Sequence, residues 1–369
     1  MKYIYFTFAA GLLAMAPAAA QVTDTTRTTT PATATPAADT TRTAAPATDE
    51  NFDEFGDASA GGTSYNTQKV LYLTPTKLIS VGYEAQLPFN LTTTGPLPAS
   101  TTPAVETRVN SARGIRLALN TPVVSRNDFI FNVGLTYWNT GLDLANAERS
   151  PYFDKLKNGL RTTGINTTIF NPFDNKHFLI LQFNLDANGN YRGFNELRSE
   201  HFTYSGTAIY GWKPNDNLQW GLGLSRTYRA GQLLNIPVLL YNRTFSPQWG
   251  CEVVFPARAE IRRNFGTNSL LKFGYELEGN TYYLGNIGPD EVYLRRGELK
   301  PRFTYERQLV GFVWLSAQAG FRYNYRNDAF RNQNVTGERE STLGSEPALF
   351  KNTLTNPLYF NLSLNLVSP

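Results

Sequence analysis

Histidine and methionine are nearly absent from this chain, with two of each in 369 residues, and cysteine occurs once. A lone thiol, Cys251, cannot close an intramolecular disulfide, so any fold must hold without a covalent framework. No zinc ligand set, phosphate-cradling glycine loop or calcium loop is present, and no cofactor is expected. Asp186-Ala187-Asn188-Gly189-Asn190 resembles the start of an acidic metal loop but lacks the spaced carboxylates and closing Glu. Beyond the first twenty residues no apolar run approaches about 18 residues, which excludes a bundle of membrane-crossing helices. A basic run is missing too. The net charge is +4, with 34 Lys and Arg scattered among 30 Asp and Glu, so a nucleic-acid partner is not implied.

What the chain does have is aromatic side chains, 20 Tyr and 24 Phe, a profile suited to β-structure and aromatic girdles. It also has an export signal. Lys2 precedes an apolar run from Ile4 to Met15, and Ala18, Ala19 and Ala20 offer small residues for cleavage before Gln21. Residues 1–20 therefore read as a signal peptide, too short to remain as a membrane anchor, and no cysteine follows to accept a lipid. Residues 21–62 read as a disordered tail. Its first thirty residues are almost only Thr, Ala, Pro, Asp and Arg, with Asp24 to Thr28 repeated at Asp39 to Thr43, and they cannot bury enough surface to offset the entropy of ordering. Such a tail is a spacer or low-complexity drift.

From about Lys77 the period is two, the mark of strands with unlike faces. Ile79, Val81, Tyr83, Ala85, Leu87 and Phe89 share one face, and Ser80, Gly82, Glu84 and Gln86 the other. The same alternation returns in Phe131 to Tyr137, Leu179 to Leu185, Leu218 to Leu224, Leu315 to Tyr323 and Phe360 to Leu366. Short Asn-, Asp-, Gly- and Pro-rich connections at 125–128, 172–176, 214–217 and 265–268 suit tight turns. Longer polar stretches at 92–107, 141–157, 187–200, 285–291 and 327–353 separate them.

Twelve strands are expected, near residues 77–90, 109–123, 128–139, 158–171, 177–187, 201–213, 217–229, 249–263, 269–283, 292–306, 311–325 and 356–367. Ile236 to Thr244 is apolar enough for a strand, but counting it breaks the alternation of short and long connections, so it is assigned to an external loop. The expected architecture over 63–369 is all-β: an up-and-down antiparallel barrel crossing the outer membrane, with short periplasmic turns, long external loops and a periplasmic tail. A soluble barrel would place charge on its outer face. Here the polar face is rich in Gly, Ser, Thr, Asn and Gln with few Lys, which fits a lumen better.

On that polar face the later strands carry Glu252, Arg258, Glu260 and Arg262, then Lys272, Glu276 and Glu278, then Arg296, Glu298, Lys300, Arg302 and Glu306, and finally Arg322. Charges of both signs at alternate positions on successive strands are expected to meet as an inward ladder. On the lipid side each Lys or Arg near the midplane would cost roughly 2–4 kcal/mol. The ladder reads either as a network filling a narrow barrel or as the lining of a watery path.

The signal peptide, the amphipathic strands and the segment from Trp249-Gly250 through Val254-Phe255-Pro256-Ala257 to Arg262-Arg263 resemble the outer-membrane β-barrel families of unknown function found in Bacteroidota. The resemblance spans roughly Lys77 to Pro369 and implies no catalytic residue. Enzymatic barrels pair His with Ser near the outer rim. Here His177 adjoins a short turn, and His201 and Ser205 on one strand are separated by about 13 Å of rise, so no enzyme is expected. The expected partners are outer-membrane lipid, the barrel-assembly machinery during biogenesis, and a small solute that is passed or bound. A sealed structural or adhesive barrel is the alternative, and a lipid-modifying enzyme a third.

Overall fold

Leu, Val, Phe and Tyr at every second position, with small polar residues between them, favour the pleated extended backbone over a helix, and strands dominate the structure. The computed structural model describes residues 69–96, 103–229, 232–331 and 348–368. The expected signal peptide and tail, 1–62, lie outside the described residues. In chain order the strands are β1 Lys77–Gln86, β2 Phe89–Thr94, β3 Val105–Ser125, β4 Ile130–Leu144, β5 Leu160–Pro172, β6 His177–Gly189, β7 Phe202–Asn215, β8 Leu218–Arg229 and β9 Gln232–Thr244. They continue as β10 Trp249–Phe255, β11 Arg258–Asn264, β12 Ser269–Ile287, β13 Asp290–Val310, β14 Val313–Phe321, β15 Tyr323–Arg331, β16 Lys351–Leu354 and β17 Leu358–Val367. One short helix, α1 Pro151–Leu156, is capped by the Ser150 hydroxyl, which accepts from the Tyr152 amide.

Seventeen strands form a closed antiparallel barrel of fourteen wall positions, because three wall strands are each broken into two. The first breaks at Leu87-Pro88, between β1 and β2, and the last at Thr355 to Pro357, between β16 and β17. Proline has no N–H to give a ladder, so a strand interrupts there. Closure is made by β1, which pairs with β3 on one side and with β17 on the other, Val81 lying opposite both Leu117 and Leu364.

The expected count of twelve is corrected to fourteen. Ile236 to Thr244, assigned to an external loop, belongs to β9, and the segment 249–263, expected as one strand, is the hairpin β10–β11 turning at Pro256-Ala257. Arg229 at the end of β8 pairs directly with Gln232 at the start of β9, and the connection at 256–257 is two residues long, both where the alternation called for long loops; Pro256 was the available signal for a turn. The expected loop 285–291 is likewise mostly strand, the tip of the tall β12–β13 hairpin turning at Gly288-Pro289.

Burial is inverted relative to a water-soluble barrel. Along β17 every apolar residue from Leu358 to Leu366 faces outward and every intervening residue is buried: Leu364 is 51% exposed, Asn365 1%. Phe183, Leu222, Ile261, Phe273 and Phe303 repeat this around the wall. The short-turn end carries Arg243 and Arg263 on the outer face, the latter stacked on Trp249 and Phe265. One of its turns is pinned by Asp174, whose carboxylate bonds the His177 ring at 2.7 Å and accepts the Lys176 and His177 amides; these bonds, the ring contact foremost, lower its pKa to about 2.

Candidate functional site

Inside the wall the two arcs differ. From β4 to β9 the inward side chains are mostly uncharged, with Asp186 and the buried Lys213 as exceptions: Asn184 donates to the Ser205 hydroxyl at 3.0 Å, and Thr207 to Ser225 at 2.9 Å. Nearer the short-turn end this arc is apolar, with Phe170, Phe178, Ile209, Val238 and Leu240 packed together. Gly211 makes room for the Phe178 ring, since a Cβ there would lie 2.1 Å from it.

The other arc, β10 to β14 with β1 and β3, holds the charged residues named above, in the face opposite the exposed apolar rows. Arg262 pairs with Glu252 at 3.2 Å, and Lys272 bridges Glu260 at 3.4 Å and Glu306 at 3.2 Å. Arg302 joins Glu260 at 3.0 Å to Glu276, and Lys300 bonds both Glu276 and Glu278. Arg296 and Arg322 meet on Glu298, each at 2.5 Å. Arg258 opens β11 opposite Glu276 in register and forms no ion pair among the described residues. Such pairs are held in place by mutual compensation, because each ion alone would be costly to bury.

Three residues that the sequence reading did not place in the ladder complete it. Lys77 reaches Glu306 at 3.0 Å, Arg322 reaches Glu84, and Arg116 reaches Glu84 at 2.8 Å while lying 4.7 Å from the centre of the Trp138 ring. Glu84 already stood on the polar face of the first strand. The missing signal was adjacency, since Arg322 and Glu84 lie 238 residues apart and meet only through barrel closure.

Both ends are obstructed. At the long-loop end β12 parts from β11 beyond Glu276, and its Tyr283 lies parallel to Gly189 of β6, on the far side of β7–β11. The Asn190 amide donates to the Tyr283 carbonyl at 3.3 Å. This contact draws a tighter ring around a dry cluster in which Tyr152, Phe153, Leu156, Phe89, Leu284 and Phe350 pack together. At the short-turn end residues Lys69 to Thr76 lie across the mouth. Leu71 donates to the Asp216 carbonyl and accepts from Thr244, Tyr72 accepts from Asn264, and Thr74 bonds Glu252 through both amide and hydroxyl. The strap starts at the β7–β8 turn, about half-way round the wall from β1, where it ends.

Between these closures lies a cavity of about 260 Å³ bordered by Lys77, Arg116, Lys300 and Arg302, by Glu84 and Glu276, and by Trp138 and Tyr359. No group of His, Cys, Asp and Glu among the described residues could hold a metal. His201 sits at the long-loop end, edge-on to Tyr191 and Tyr283 at 5.4 and 4.9 Å, where burial pushes its pKa down. Ser205, on β7, accepts from Asn184.

Residues 126–362 match the model of a family described as a domain of unknown function, DUF6268. No curated protein matches the chain. Among solved structures, the KdgM porin in complex with disordered oligogalacturonate is 7% identical, with 79% of this chain and 99% of that one covered and a TM-score of 0.31. The toluene transporter TodX of Pseudomonas putida is 9% identical, covering 84% and 97%, TM-score 0.33. An outer-membrane channel from Pseudomonas putida F1 is 10% identical, covering 79% and 96%, TM-score 0.35.

Proposed function

This chain belongs to the DUF6268 family, a domain of unknown function, and we propose that it is an outer-membrane β-barrel that binds and passes a small solute through a lumen closed at both ends in its resting state. The observation that carries the reading is the inverted burial: exposed apolar rows around the wall and paired charges enclosed within it. Water would penalise the first arrangement and hydrocarbon the reverse one. The short-turn end, ringed by arginine and aromatic side chains, faces the periplasm, and the long-loop end faces outward. A Bacteroidota source belongs to this reading through the sequence resemblance alone. No catalytic role is assigned to the barrel.

The membrane placement has a direct test. Leu364→Arg on the outer face is expected to cost roughly 2–4 kcal/mol if the residue sits near the midplane. Folding into liposomes, read by the fast migration of unboiled protein on a denaturing gel, then falls sharply. Unchanged folding of this variant counts against a lipid-facing row.

The dry cluster at the long-loop end favours a second reading, a permanently sealed structural barrel. Planar-bilayer recordings separate the two. The passage reading expects brief conductance steps from the full chain, and more frequent ones from a chain beginning at Lys77, which lacks the strap. Silence from both assigns the protein to the sealed class.

A further inference from the structure

On the outer face of β6 to β9 two stacked aromatic pairs mark two levels. Trp212 and Trp220 lie 4.5 Å apart toward the short turns, and Tyr204 and Tyr228 4.8 Å apart toward the long loops. From Trp220 to Tyr228 along β8 the chain climbs about 20 Å for a strand tilted by about 40°, close to the height of an apolar belt. Between the two levels the outward residues are apolar except in one row. There Phe183 of β6, Gly206 of β7, Arg226 of β8 and Asn235 of β9 lie side by side in register.

Arg226 is exposed on this face, and its guanidinium forms no hydrogen bond or ion pair among the described residues. No Asp or Glu occupies an outward position of β6 to β9 to compensate it, Asp186 having the opposite phase. It stands one pleat below Tyr204 and Tyr228, about 5 Å inside the belt, so its alkyl stem can lie in hydrocarbon while the charged head reaches the headgroup level. Asn235, also exposed, is its cross-strand neighbour, and the two tyrosine hydroxyls above form no hydrogen bond among the described residues.

Beside the arginine the wall is notched. Gly206 floors a groove of about 770 Å³, with Ile165, Phe183 and Leu185 on one side and Arg226 and Leu233 on the other. A Cβ at Gly206 would touch only the Phe183 ring, at 3.6 Å, so a larger side chain there would stand in the groove. In a bilayer an outward apolar groove is filled by an acyl chain, and the cation at its edge favours a lipid whose headgroup is anionic.

We propose that this groove seats one anionic, phosphate-bearing lipid of the outer leaflet, its acyl chain lying over Gly206 and its phosphate held by Arg226 and Asn235 at the level of the Tyr204–Tyr228 pair. The inference rests on the membrane reading above and adds which lipid the wall selects. A guanidinium gives phosphate oxygens a full charge and a fork of N–H donors. A choline headgroup cancels the phosphate charge from within, so a zwitterionic lipid gains less from the same arginine.

Native mass spectrometry of the folded full chain, in detergent with equal amounts of dioleoyl phosphatidate and dioleoyl phosphatidylcholine, reads the lipids retained. One phosphatidate per chain is expected in preference to phosphatidylcholine. Arg226→Leu places an apolar residue on a lipid-facing row, so the fast-migrating folded form persists while phosphatidate retention falls about tenfold, to the level of phosphatidylcholine. Gly206→Leu keeps the arginine but fills the groove, and it too should lower phosphatidate retention. Equal retention of the two lipids by the wild type, or an unchanged preference in Arg226→Leu, overturns the proposal; an arginine that merely reaches toward water gives that second result. Insertion into liposomes of pure phosphatidylcholine is measured in parallel. Absence of the preference with insertion intact removes the lipid seat alone, whereas a wild type that does not insert removes the membrane reading and the seat with it.

Discussion

Arg322→Leu is expected to destabilise the barrel by about 3–5 kcal/mol, the largest effect of any single substitution in the lumen. Arg322 is 2% exposed and bonds Glu298 at 2.5 Å and Glu84 on a strand from the opposite end of the chain, with its guanidinium 5.1 Å from the Tyr359 ring. Removing it leaves two buried carboxylates with one cation each, Arg296 and Arg116, and no shared positive charge between them. Leucine fills part of the volume but cannot compensate the charge. The measurement is the temperature at which the unboiled, fast-migrating form is lost in detergent. A double variant, Arg322→Leu with Glu298→Leu, should not recover the loss, because Glu298 is also the partner of Arg296 and its removal leaves that buried cation alone. Insertion into liposomes is retained, since no outward side chain changes. An unchanged melting temperature would mean that the network does not hold the β1 and β14–β15 strands together.

Phe350→Ala is expected to loosen the seal at the long-loop end by about 3–5 kcal/mol. Phe350 is fully buried and stacks on Tyr152 with ring centroids 5.5 Å apart, in a cluster shared by β2, β3, α1, β12, β13 and β15. Its backbone is tied to Ala329 by an isolated bridge and not by a long ladder. The loss therefore falls on local opening of the cap more than on the wall, whose strands remain paired below it. Since each 1.4 kcal/mol is a tenfold change in population, opening of the cap becomes roughly 10²–10³ times more frequent. The passage reading then expects longer and more numerous conductance steps, with a gel shift close to that of the wild type. A large fall in melting temperature with no conductance would place Phe350 in the structural core of a sealed barrel.

Much of the architecture was legible because the relevant signal is local. Alternation in Ile79 to Phe89 or in Phe360 to Leu366 states directly which side chains share a face, and the charges from Glu252 to Arg322 declare their phase by the same rule. The miscounted strands failed for a different reason. The segments 236–244 and 249–263 have ordinary strand composition; the expected rhythm of connections misassigned the first, and the second was read as one unbroken strand. A two-residue turn leaves almost no compositional trace, and the proline at 256 was the one mark of the second.

What the sequence determined by itself is the two-faced strand and hence an antiparallel β-barrel, because side-chain phase follows from the pleat of a few neighbouring residues. Which residues meet was decided only in three dimensions. Closure sets β1 beside β17 and brings Glu84 to Arg322; the lean of the tall β12–β13 hairpin toward β6 makes the cap; the strap from Lys69 to Thr76 crosses the other mouth. These contacts join residues far apart in the chain, and their energies depend on charge compensation and packing among many strands at once, so no local pattern encodes them.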